Sequence, residues 1–106
     1  MPTPPPYKVV ITPLLLEQLK AFGLRDHASS AIRDAMSDPE QAGKQLIGSL
    51  YPYRRLKISR YRIIYRPVPD ADPPEVRFLY CAMRKEGSKK DVYRQLERLL
   101  RRSELE

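Results

Sequence analysis

The sequence is short of the side chains that most enzymes use. It has one histidine, His27, and one cysteine, Cys81, in 106 residues. A lone cysteine cannot form an internal disulfide, and with only His27 elsewhere there is no metal set. Cys81 sits in an apolar run and reads as a small buried hydrophobe. His27 falls at the start of a predicted helix, where a surface or capping role fits better than catalysis. Carboxylates are scattered, and few lie near the basic segments. No phosphate loop, nucleophile elbow or metal spacing is present. No cofactor is implied. No stretch has the length of a membrane span, and the N-terminus lacks the basic-then-apolar pattern of a signal peptide, so a cytoplasmic protein without a membrane partner is expected.

What the chain does have is positive charge in one place. Its net charge is +7, but residues 1–50 hold five bases and five acids and are neutral. The whole excess lies in residues 51–106, which points to a surface for nucleic acid or an acidic partner. Tyr53–Arg66 (YRRLKISRYRIIYR) carries six cations and no acid in fourteen residues. Its Tyr, Ile and Leu favour strands. It reads as two antiparallel strands with a tight turn at Ser59-Arg60, although the turn lacks the usual Gly or Asn. Period-2 geometry places Arg55, Lys57 and Ser59 on one face and Leu56 and Ile58 on the other. In the second strand Tyr61, Ile63 and Tyr65 alternate with Arg62, Ile64 and Arg66. One face can join a core while the other presents a cationic row. Tyr53, Tyr61 and Tyr65 read mostly as sheet packing.

The length suits one domain, expected over residues 7–102, with 1–6 (MPTPPP) as a loose arm and 103–106 as a tail. Tyr7–Thr12 reads as a strand. Thr12 then caps a helix with Pro13 in its first turn and Gly23 at its end. Ala28, Ala31, Ile32, Ala35 and Met36 form the apolar stripe of a second helix from about Asp26 to Ser37. Residues 39–52 read as a connection with a short helical turn before Gly48. Pro67–Pro74 reads as a loop unable to continue a strand ladder. Glu75–Met83 has apolar residues on both faces, as in a covered central strand. A last helix, about Lys89 to Arg102, follows a capping-box-like Ser88 and Asp91. Val92, Leu96, Leu99 and Leu100 form its apolar face. The order β-α-α-β-β-β-α describes an α+β fold, a small antiparallel sheet with helices packed on it.

Arg, Lys and Tyr can cleave RNA without a metal. RNA carries its own nucleophile, the 2′-hydroxyl, so a protein need only align it, neutralise the developing charge and manage protons. Guanidinium and ammonium groups match phosphate oxygens.

The segment KQLIGSLYPYRRLKISRYRIIYR, the strand ending Met83-Arg84 and the final DVYRQLERLL resemble the RelE/ParE superfamily of bacterial toxins, most of all its RelE branch. The similarity spans residues 7–102, with SRYRIIY at 59–65 the most distinctive part. The resemblance implies an mRNA endoribonuclease that cuts in the ribosomal A site and is neutralised by a cognate antitoxin, with DNA bound only through that antitoxin. Carried over by position, it implies Lys57 and Arg62 on the pentavalent phosphate, Arg84 on the leaving 5′-oxygen, and Tyr93 orienting or deprotonating the 2′-hydroxyl or stacking on a base. Arg54, Arg55, Arg60, Arg66, Lys89 and Lys90 are the further RNA-binding candidates. The sequence departs from the pattern at Arg55, where lysine is more typical. The Arg84-to-Tyr93 interval is also about three residues longer, which gives Lys89 or Lys90 part of the role of Tyr93 as an alternative. A slip of register would exchange Arg54 for Arg55. Two alternatives stand beside it: ParE-like inhibition of DNA gyrase without catalysis, which shares the fold but usually lacks the full set of Arg55, Lys57, Arg62, Arg84 and Tyr93, and RNA or ribosome binding without cleavage.

Overall fold

The computed structural model of the chain describes residues 7–46, 51–83 and 98. Strand β1 (Lys8–Ile11) leads into helix α1 (Pro13–Phe22) and helix α2 (Arg25–Ala35). Strands β2 (Lys44–Gln45), β3 (Arg54–Ile58), β4 (Tyr61–Val68) and β5 (Glu75–Met83) follow. They form one sheet in the order β1-β5-β4-β3-β2. β1 runs parallel to β5, and the other neighbours are antiparallel.

The helix signals act where the sequence puts them. Thr12 is extended, and its hydroxyl accepts from the Leu15 N–H at 3.1 Å, satisfying one of the free donors of the first turn. Gly23 closes α1 at φ 68°, a left-handed conformation that glycine adopts without steric cost. α1 packs on β5 and α2 on β3. Leu15, Leu19, Ala28, Ile32 and Ala35 from the helices meet Leu56, Ile58, Ile63, Tyr65, Val76, Phe78 and Cys81 from the sheet. The stripe on α2 is thus core, with Ala31 and Met36 partly buried at its margin.

β1 ends opposite Phe78, and among the described residues no strand pairs with the upper half of β5 on that side. α1 supplies the missing partners. The Thr12 hydroxyl donates to the Leu79 carbonyl, and the Gln18 side-chain oxygen accepts from the Cys81 N–H at 2.7 Å. The buried edge is therefore satisfied by side chains rather than by a strand.

Two expectations change. The connection after α2 contains a strand, the two-residue β2, which pairs with β3. Two residues are too few to show any periodicity. β4 continues through Pro67 to Val68, where a loop was expected. β3 begins opposite Tyr65, so among the described residues β4 has a neighbour on only one side beyond that point, the edge-like setting that tolerates proline. A bulge at Ile64/Tyr65 makes Leu79 the extra residue of β5, a shift that the sequence does not announce. The expected last helix lies outside the described residues except for Arg98, which is helical and exposed. Among the described residues no helix is long and apolar enough to cross a membrane.

Candidate nucleic-acid interface

Residues that face each other across a ladder share a face of the sheet. Ile58 pairs with Tyr61, Leu56 with Ile63, and Arg54 with Tyr65, and these side chains point to the helices. The other face is set by the alternate residues. There Lys57 stands opposite Arg62, Lys44 opposite Arg55, and Arg66 opposite Arg77. Each antiparallel junction of the sheet thus carries a like-charge pair on the same face. Directly opposed side chains have Cβ atoms only about 4.5–5.5 Å apart, and like charges at that distance destabilise a sheet. Part of this charge is met within the chain, at Arg62, Arg66 and Arg77, while Lys44 and Lys57 stand exposed among them.

The cations differ in access. Lys44, Lys57 and Arg60 are exposed, and Arg55, Arg66 and Arg77 are half-buried. Arg62 is only 4 % exposed, and its Nη1 donates to the carbonyls of Ser59 at 3.3 Å and Tyr61 at 2.9 Å. It therefore braces the Ser59-Arg60 turn, in which Ser59 itself takes the left-handed φ of 53° that Gly or Asn would normally supply. Arg66 lies over the Tyr53 ring, 5.7 Å from its centroid, and the Arg77 Nε donates to Glu75 at 3.1 Å.

Arg54 departs most from its expected place. It lies on the helix-bearing face and is 8 % exposed. Its Nε donates to the Ala42 carbonyl at 2.9 Å and the Tyr65 hydroxyl at 3.3 Å, its Nη1 to Gln45 Oε1 at 3.1 Å, and its Nη2 to the Gly43 carbonyl at 3.1 Å. The Tyr65 hydroxyl in turn faces the carbonyls of Pro39, at 3.0 Å, and Ala42. Burial raises the pKa of Tyr65, with Arg54 partly opposing, so the group remains a donor. The register thus decides between the two neighbouring arginines: Arg55 belongs to the cationic face, and Arg54 ties the loop before β2 to the sheet.

Tyr65 and Tyr53 are buried, as the packing reading of the tyrosines requires, and Tyr61 packs on Phe22 with ring centroids 4.9 Å apart. Arg84, Lys89, Lys90 and Tyr93 lie outside the described residues. Lys44 and Arg77 were missed in the sequence. Lys44 lay in an apparent connection, and Arg77 in a strand read only for its apolar content. His27 joins no cluster, and among the described residues no three His, Cys, Asp or Glu side chains gather to hold a metal.

No protein-family model matches the chain, and no curated sequence does. Solved structures do. A YoeB/ParE toxin from Agrobacterium tumefaciens superposes with a TM-score of 0.60 at 18% identity, covering 74% of this chain and 99% of that one. A chain of the RelBE2 toxin–antitoxin complex from Mycobacterium tuberculosis does so with a TM-score of 0.59 at 26% identity, again covering 74% and 99%. Both share the α+β arrangement of helices on a five-stranded sheet. The fold of the chain is thus that of RelE/ParE-superfamily toxins.

Proposed function

We propose that the protein is the toxin of a type II toxin–antitoxin pair and that it cleaves messenger RNA on the ribosome. The observation that carries this reading is the run of like-charge pairs, Lys44/Arg55, Lys57/Arg62 and Arg66/Arg77, on the sheet face opposite α1 and α2. In the proposed reaction the 2′-hydroxyl oxygen attacks the adjacent phosphorus and the 5′-oxygen of the next nucleotide departs. Lys57, exposed at the centre of the face, meets the phosphate oxygens as negative charge builds on them. Arg62 holds the turn beside it and adds positive potential. Arg84 and Tyr93 keep the roles that the resemblance gives them, charge or proton donation to the leaving oxygen and handling of the 2′-hydroxyl. No metal takes part. The proposed partner is a small antitoxin whose helical or extended segment covers the cationic face or displaces the last helix.

A second reading is gyrase inhibition without catalysis. Its support is the burial of Arg62, whose Nη1 is engaged by turn carbonyls rather than presented to a substrate. Primer extension on messenger RNA after brief induction separates the two. Wild type should give new cuts within translated regions, and Lys57→Ala and Arg84→Ala should remove them. Growth arrest without new cuts, with loss of supercoiling, would replace the ribonuclease reading by the gyrase one.

A further inference from the structure

The short strand β2 is held in place by a set of part-buried hydrogen bonds from Arg54. Gln45 accepts from Arg54, and Arg54 also binds the carbonyls of Ala42 and Gly43. Gly43 takes φ 63°, and a Cβ there would lie 2.2 Å from the Arg55 carbonyl oxygen. Only glycine lets the loop come this close to β3. The result of all this bracing is that Lys44 stands directly opposite Arg55. A hydrogen-bonded network on the core side thus imposes a like-charge contact on the other side.

We infer that Lys44, Arg55 and Lys57 form a phosphate track that carries single-stranded RNA from the centre of the sheet to its β2 edge, and that Arg54 is the positioning residue that holds Lys44 in it. This inference rests on the RNA-directed reading above and extends it to a binding subsite. Lys57 and Arg55 are two residues apart on one strand face, about 7 Å along β3. Lys44 lies one strand further out. At about 3.4 Å of axial advance per nucleotide in one strand, Lys57 and Arg55 match phosphates about two nucleotides apart in a short segment. Lys44 and Lys57 are exposed, Arg55 is half-buried, and β2 is the last strand of the sheet, so the track opens to solvent at its end. Arg54 contributes through geometry. Its own guanidinium is inside and bound to Ala42, Gly43, Gln45 and Tyr65.

The test is the salt dependence of binding to a fluorescein-labelled 2′-O-methyl oligouridine, which lacks the nucleophile and stays intact. Lys44→Gln should weaken binding about fivefold at low salt through loss of one charge-assisted contact. It should also lower the slope of log K against log salt by about 0.7. Its folded stability should equal that of wild type or exceed it. Arg54→Lys keeps the charge, so a simple count of cations predicts no change. The track predicts the same fall in slope as Lys44→Gln, because β2 loses its anchor. If Arg54→Lys does not fold, Lys44→Gln alone decides. Unchanged affinity and slope in Lys44→Gln would end the track at Arg55 and overturn the inference while leaving the ribonuclease reading intact. Loss of antitoxin binding with unchanged RNA binding would assign the edge to a protein partner and overturn it too. Absence of oligouridine binding by wild type would overturn the track, while primer extension decides the ribosome-dependent ribonuclease reading separately.

Discussion

The two faces of the sheet are built from alternate residues of the same strands and follow opposite rules. On the helix-bearing face, polar groups are few and each described one is bound. Arg54 and Tyr65 sit among carbonyls, and the remaining side chains are apolar and closely packed. On the other face, cations stand in opposed pairs around buried Ile64 and Tyr80. The contrast between Arg54 and Arg55 is the sharpest instance. They are consecutive, of the same type, and in one strand. One is a structural tie and the other belongs to the charged face, because the strand period of two sends them to opposite sides. A basic residue is therefore informative about function only once its face is known.

That contrast can be tested most strongly on the packed side. Leu15 has no exposed surface and lies between α1 and β5. Leu15→Ala should cost about 3–5 kcal/mol in urea unfolding, from lost transfer energy and the cavity left behind. A loss under about 1 kcal/mol would mean that the helix face is loosely packed and the comparison overstated.

Alkaline pH should act on the same side. Burial raises the Cys81 thiol from 9.0 to about 11. The folded state favours the neutral thiol, so its contribution is fully present below the unfolded value. It is lost as pH rises through the folded one, a change of about 2 kcal/mol. Wild type should therefore lose more stability between pH 8 and pH 11 than Cys81→Ala, measured against each protein's own value at pH 8. Identical pH profiles would show that Cys81 is not held as a buried thiol.

The smallest effect belongs to the charged face and has the opposite sign. Lys57→Glu replaces the like-charge pair with Arg62 by an opposite-charge pair. It should stabilise the fold by about 0.5 kcal/mol while abolishing RNA cleavage. A variant less stable than wild type would make Lys57 part of the scaffold, and the division between the faces would fail at its centre.

Much of the fold was legible in the chain because the signals were local. Thr12, Pro13 and Gly23 act within one helix turn of the ends they mark, and the stripe from Ala28 to Met36 needs only the helical period. The paired basic strands and the alternation of Lys57 and Arg62 with Leu56 and Ile63 needed only the strand period. The β2 strand, the extension of β4 through Pro67 and the bulge at Leu79 were not legible, because each exists only through its partner strand. The same limit hid Lys44, whose relation to Arg55 is a matter of register between segments about ten residues apart.

By itself, then, the sequence determined the composition of the site: an excess of Arg, Lys and Tyr, one histidine, one cysteine, and strands able to separate charge from core. Only the tertiary structure decided which arginine faces outward, which is tied to a loop, and which cations oppose one another. Hydrophobic alternation fixes the sides of each strand in isolation. The positions of charges relative to each other depend on register between strands, which is set by packing on the helices and by the buried hydrogen bonds of Arg54 and Tyr65.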